Sequence, residues 1–168
     1  MIKYIITFCF IFILACDKGD EKPNEPLSQI QVSVFLYESC PVAQYMTLPL
    51  NEIYSEFADE DISFTGYFPN ILSSPESINS FQEQYSILFN CIDDQSGFFA
   101  ESLGASVYAE VFVEQNGTLL YKGMINNSYS ALGQWSPADK HYLYDVLSAI
   151  INGENVPWDS NNAVGCLI

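Results

Sequence analysis

The chain carries five cysteines, at positions 9, 16, 40, 91 and 166, with a single histidine, His141, and no arginine. That inventory narrows the available chemistry to thiols. Cys40 stands in Glu38-Ser39-Cys40-Pro41, where a strand pattern gives way to a helix pattern that Pro41 can open as its first residue. A thiol at such a helix N-terminus sits near free backbone N–H groups and the positive end of the helix dipole, both of which favour the thiolate. Glu38 and the acidic surface push the other way, because nearby negative charge disfavours a thiolate. Cys40 is accordingly read as a reactive nucleophile, with a buried inert thiol as the alternative. Cys91 falls inside a strand pattern two strands from Cys40, roughly 10 Å away at ~4.8 Å per strand. A disulfide needs Cα atoms within about 7 Å, so direct pairing of the two is disfavoured and Cys91 reads as a small core residue. Cys166 lies on a tail whose fourteen residues beyond Asn152 can reach more than about 40 Å at ~3.3 Å per residue. It can meet either partner.

Other candidate groups are weaker. His141 is expected on the last helix in a structural role, since a zinc site needs three or four ligands. No metal and no cofactor is implied. Asp93-Asp94 and Asp59-Glu60-Asp61 lie at helix boundaries and read as caps and solvated turns; neither has the glycine and spacing of a calcium loop.

The elements that must position these residues follow from periodicity. Residues 30–37 form an apolar strand leading to Cys40. A helix follows from Pro41, with Leu48, Ile53, Tyr54 and Phe57 as its apolar stripe and a kink at Pro49. A strand is expected at 62–68, a helix capped by Ser74 and running to about Tyr85, a strand at 87–92, and a short helix at 95–103 closed by Gly104. Strands at 108–114 and 118–124 flank Gln115-Asn116-Gly117, and Asn-Gly between such runs is a hairpin signal. The last helix is expected at 137–152, ended by Gly153, with an irregular tail at 157–168. Strand, helix, strand, helix, strand, helix, hairpin, helix implies an α/β domain: a central mixed sheet of about five strands with helices on both faces. Sites in such sheets gather at the carboxyl ends of the parallel strands, where Cys40 falls.

The first residues are of another kind. Lys3, an apolar run at 4–12 and then Ile13-Leu14-Ala15-Cys16 are too short to span a bilayer and have the length of a secretory h-region. The Leu-x-Cys ending resembles the lipobox of a bacterial lipoprotein. That resemblance implies a signal peptide at 1–15 and lipid attachment on Cys16, so Cys9 leaves with the leader. Residues 17–26 hold four acids, two lysines, two prolines and no aliphatic side chain, so 16–28 reads as an acidic tether. The domain is then 29–168, one unit of about 140 residues with a C-terminal cysteine tail. Without the leader the chain has four lysines against 21 acids, a net charge of −17. Such a surface repels nucleic acid and anionic headgroups, leaving membrane contact to the lipid on Cys16.

Ser39-Cys40-Pro41-Val42-Ala43, the strand Glu110-Val111-Phe112-Val113, Asn116-Gly117-Thr118-Leu119-Leu120-Tyr121-Lys122-Gly123 and the ending Ala163-Val164-Gly165-Cys166-Leu167-Ile168 together resemble the redoxin branch of the thioredoxin-like superfamily, which includes alkyl hydroperoxide reductase/thiol-specific antioxidant-like domains. The resemblance implies a thioredoxin-like fold, thiol chemistry at Cys40 and a substrate turn at Tyr108 and Ala109. The sequence departs from the family at three places. Ala43 stands where thioredoxin oxidoreductases usually carry a second cysteine. Ala109 stands where the usual cis-proline would be, and a cis bond there costs about 3 kcal/mol against under 1 for proline, so a trans bond is expected. Tyr37 replaces the threonine of peroxidase members, and no arginine is present to activate a peroxide. The functional expectation is a lipid-anchored extracytoplasmic thiol-disulfide oxidoreductase, not a peroxidase, in which Cys40 attacks and Cys166 resolves, acting on protein thiols or disulfides outside the cytoplasm. The alternative is a non-catalytic binding or structural module whose tail is stapled by a Cys40–Cys166 or Cys91–Cys166 bridge. Copper delivery is disfavoured by the lack of a second nearby cysteine and a second histidine.

Overall fold

The computed structural model describes residues 29–168; the leader, the tether and Cys16 lie outside the described residues. The elements run β1 (Ile30–Phe35), α1 (Pro41–Glu56), β2 (Ile62–Phe68), α2 (Pro75–Gln84), β3 (Asn90–Asp93), α3 (Phe98–Leu103), β4 (Val111–Gln115), β5 (Thr118–Gly123), β6 (Tyr129–Ala131), β7 (Gln134–Trp135) and α4 (Tyr142–Ile151). Strands β3, β2 and β1 are parallel, and β4 and β5 continue the sheet antiparallel in the order β3-β2-β1-β4-β5. This is the mixed five-stranded sheet the element order implies.

Strand β1 is central and buried on both faces: Ile30, Val32 and Val34 alternate with Gln31, Ser33 and Phe35, and only Gln31 is partly exposed. Ile30, Val32 and Val34 enter the larger core with α1, α2 and α4, while Phe35 faces the smaller one with Tyr67, Phe112 and Ala100 of α3. Helix α1 buries Val42, Met46, Leu50 and Ile53, a stripe at spacings of four, four and three. Leu48, expected on that stripe, is 62% exposed, because the stripe is set from Val42 rather than from the aromatic end. The helix continues through Pro49 to Glu56.

Three boundaries differ from expectation for local reasons. Ser86 adopts φ 51, a left-handed turn that postpones β3 to Asn90. Asp94 accepts the N–H groups of Phe99 and Ala100, so α3 starts at Phe98 and residues 95–97 form the turn before it; of the acidic pair Asp94 caps the helix, while Asp93 ends β3 and accepts the Gln95 N–H. Helix α4 starts at Tyr142 instead of 137, because the Asn127 side chain accepts the N–H groups of Asp139 and Lys140 and fixes that stretch as a loop. The β6–β7 hairpin was not foreseen. It lays Tyr129 and Trp135 on Tyr45 of α1, with ring centroids 5.4 and 5.9 Å away.

The tail is irregular but held. Asp159 accepts the Lys122 N–H and Asn161 donates to the Lys122 carbonyl, covering the outer edge of β5. The Asn161 side chain then accepts the Met124 N–H and donates to the Tyr121 hydroxyl.

The β4–β5 turn places Asn116 at φ 52 and Gly117 at φ 76, the paired positive values of a type I′ turn. Gly117→Ala keeps open space around the added carbon but forces an L side chain into the left-handed region. It should lower stability by about 1 kcal/mol, read as a lower urea midpoint with an unchanged slope.

Candidate functional site

Cys40 is the N-cap of α1, with φ −85 and ψ 115 and no side-chain capping bond. Pro41 follows as the first helical residue, where its missing N–H costs nothing. The Cys40 N–H donates to the Tyr37 carbonyl at 3.1 Å, its carbonyl accepts from Gln44 N at 2.9 Å, and the residue is 0% exposed. Part of its surroundings comes from the far end of the chain. Beyond Asn161 the tail passes Val164 beside Met46 and Ala109, and residues 165–168 then run antiparallel beside residues 106–108. Tyr108 N–H donates to the Cys166 carbonyl at 2.9 Å and Ile168 N–H to the Ser106 carbonyl at 3.2 Å, with Val107 opposite Leu167. Gly165 lies so close to the Tyr108 carbonyl that a β-carbon there would collide with it.

This pairing sets the Cys166 side chain against that of Cys40. Burial, and after it the Cys40 sulfur, push the Cys166 thiol up to about 11, so Cys166 keeps its proton at neutral pH. The three described cysteines are free thiols. Of the two partners open to Cys166, the structure brings it to Cys40. Cys91 belongs elsewhere: its sulfur sits above Gly66, its neighbour on β2, beside Leu36 and Phe89. Burial pushes that thiol up to about 12.

The loop that receives the tail is built around a strained residue. The peptide before Ala109 is trans and Ala109 has φ 68, a conformation costing a non-glycine residue of order 1–3 kcal/mol. It is held because Ala109 N–H donates to the Phe35 carbonyl at 2.6 Å and because the Glu110 carboxylate accepts the N–H and O–H of Ser106. Tyr108 is buried, stacked at a tilt on Tyr37 with centroids 5.1 Å apart, and its hydroxyl accepts from Asn70 at 3.0 Å. Burial raises its pKa.

Glu38 is held by hydrogen bonds. Its carboxylate accepts the hydroxyls of Ser73 and Ser77, tying the turn before Cys40 to the start of α2. Asn70, Ser73 and Ser77 escaped the sequence reading because a loop asparagine and two serines carry no periodicity; the Gly165-Cys166 pair was the one legible clue to the docked tail. His141 caps α4 rather than lying within it. It lines a separate cavity of about 450 Å³ with Glu52, Glu56 and Tyr144. Among the described residues no group of three or more His, Cys, Asp or Glu could hold a metal ion, and no helix is long and apolar enough to cross a membrane.

Comparison with known proteins bears on the fold. The topology is that of a thioredoxin-like α/β protein. No family model and no curated protein matches the chain. Among solved structures, an uncharacterized conserved protein from Geobacillus kaustophilus superposes with a TM-score of 0.76 at 19% identity, over 84% of this chain and 77% of that one. A hypothetical protein from Sinorhizobium meliloti gives 0.75 at 18%, over 84% and 80%. The thioredoxin domain of a thiol-disulfide oxidoreductase from Bacteroides vulgatus gives 0.55 at 14%, over 75% and 81%. At these identities the likeness establishes the thioredoxin-like fold and nothing narrower.

The buried thiol of Cys91 makes stability depend on alkaline pH. Its pKa is raised on folding from 9.0 to about 12, so the unfolded chain ionises first. The stabilisation is complete below about pH 9 and is lost as pH rises toward 12. Cys91→Ala should show a shallower fall of the urea midpoint across that window, reduced and not abolished, since burial also raises Tyr108 and Tyr121. An unchanged fall would mean that Cys91 does not contribute.

Proposed function

We propose that this chain is a thiol-disulfide oxidoreductase of the redoxin type in which Cys40 is the nucleophile and Cys166 the resolving thiol. The observation that supports it is the pairing of the tail with the loop at 106–108, where Tyr108 N–H donates to the Cys166 carbonyl at 2.9 Å and the Cys166 side chain meets that of Cys40, two thiols placed for exchange with one at a helix N-terminus. The oxidoreductase named among the structural neighbours is in keeping with this. In one turnover the Cys40 thiolate attacks one sulfur of a partner's disulfide, forming a mixed disulfide and releasing the other sulfur as a thiolate that takes up a proton. Cys166, losing its proton, then attacks the Cys40 sulfur and releases the partner's second thiol. The partner gains two electrons and two protons, and the protein is left with a Cys40–Cys166 disulfide. An external dithiol reverses both steps.

The absent second cysteine on the helix fits this scheme. Ala43 is fully buried in the core, and the resolving sulfur arrives from the tail instead. Peroxide chemistry is not part of the proposal, because no arginine exists to stabilise charge on a departing hydroxide. The partners are protein thiols or disulfides outside the cytoplasm, with the domain carried on a tether from a lipidated Cys16.

Two experiments address this reading. Reduced Cys166→Ser protein, mixed with a disulfide-containing polypeptide, should accumulate a mixed disulfide at Cys40, identified by mass spectrometry, while Cys91→Ser should turn over like the wild type. If Cys166→Ser traps nothing and loss of the bridge merely lowers stability by about 2–4 kcal/mol, the tail is a structural staple and the exchange reading fails. For the anchor, Cys16→Ser should abolish incorporation of labelled fatty acid. Retained label would refute lipidation at that residue.

A further inference from the structure

We propose that residues 165–168 are a self-docked strand, seated on Ser106, Val107 and Tyr108 in the place an extended, cysteine-bearing segment of a partner polypeptide takes during exchange. This rests on the exchange reading and adds to it the class of partner and a condition for reaction. Cys40 is 0% exposed, and its sulfur is met by the sulfur of Cys166. A partner's sulfur must take the position Cys166 holds, so the tail has to leave first.

The way the tail is held allows this. Its two hydrogen bonds to the loop, Tyr108 N–H to the Cys166 carbonyl and Ile168 N–H to the Ser106 carbonyl, involve backbone atoms that any extended chain possesses. Its side chains give little grip beyond the thiol: Leu167 is 81% and Ile168 41% exposed. The firm anchor lies upstream, at Asn161, so residues 165–168 can open without unpairing the edge of β5. Segments held by few buried contacts open at low cost.

The seat also describes its occupant. Gly165 admits no side chain against the Tyr108 carbonyl, so the residue before the reacting cysteine must be glycine or make its turn elsewhere. The outward position after the cysteine, held here by Leu167, is unconstrained. Ile71 and Leu72, 81% and 75% exposed, lie on the loop that Asn70 ties to Tyr108. This exposed apolar pair, on a loop joined to the Tyr108 side chain, suits a polypeptide more than a small thiol.

The test needs no turnover. Gly165→Ala, in the full chain, pushes the tail from its seat by collision, and Ile168→Pro removes the last donor N–H; both keep every cysteine. In reduced protein, alkylation of Cys40 by iodoacetamide, followed by mass spectrometry, should be at least tenfold faster in both variants than in the wild type. A synthetic peptide of residues 161–168 carrying Cys166→Ser should restore protection, and a scrambled peptide should not. Wild-type alkylation rates in folded Ile168→Pro, whose change at the final residue leaves the core untouched, would overturn the proposal, as would equal protection by the scrambled peptide. Failure of exchange would appear separately, as absence of a trapped mixed disulfide in Cys166→Ser with peptide protection intact.

Discussion

Cys166 belongs to no helix and no strand of the main sheet; its position comes from antiparallel pairing between the last residues of the chain and the loop at 106–108. The arrangement at Cys40 depends on that pairing. It brings the second sulfur to the first and turns a tail with no secondary structure into part of the site. The loop pays for being a receptor. Ala109 is held left-handed, and the Glu110 carboxylate is spent on fixing Ser106, so the carbonyl of Ser106 and the N–H of Tyr108 face the tail.

On the other side of Cys40, the turn at residues 37–40 is fixed by groups that do not touch the thiol. The Glu38 carboxylate reaches the first turn of α2 through Ser73 and Ser77, and the Gln44 side chain donates to the Glu38 carbonyl at 2.6 Å. Tyr37 and Tyr108, stacked across the gap, join this turn to the receptor loop. The two walls of the site are therefore braced together by contacts that do not involve the tail. Hydrogen bonds of this kind contribute only about 1 kcal/mol each, but several in one small volume fix geometry well.

The fold was legible because its evidence is periodic. The β-branched residues of β1, the Asn116-Gly117 turn and the Pro41 and Pro75 helix starts are short-range features that the final packing respects. The site was legible in part. Cys40 announced itself by its place between strand and helix, and chain length made contact with Cys166 feasible without choosing it over Cys91. That choice is made by backbone pairing with residues 106–108, which leaves no pattern in side chains except the glycine at 165. The β6–β7 hairpin and the late start of α4 were missed for a related reason, since each is decided by a tertiary partner, Tyr45 for the first and Asn127 for the second.

Asn161 has a kinetic meaning as well as a structural one. It is bonded to Lys122, Met124 and Tyr121, and only four residues lie between it and Cys166. When the last residues lift off, their thiol remains on a leash of that length, at an effective concentration on the order of millimolar or more. A free thiol in the surroundings must exceed that local concentration to intercept a mixed disulfide at Cys40. In the proposed exchange this sets a clock on each encounter: below that thiol concentration in the medium, a partner that has reacted is released by the returning tail on a timescale belonging to the protein.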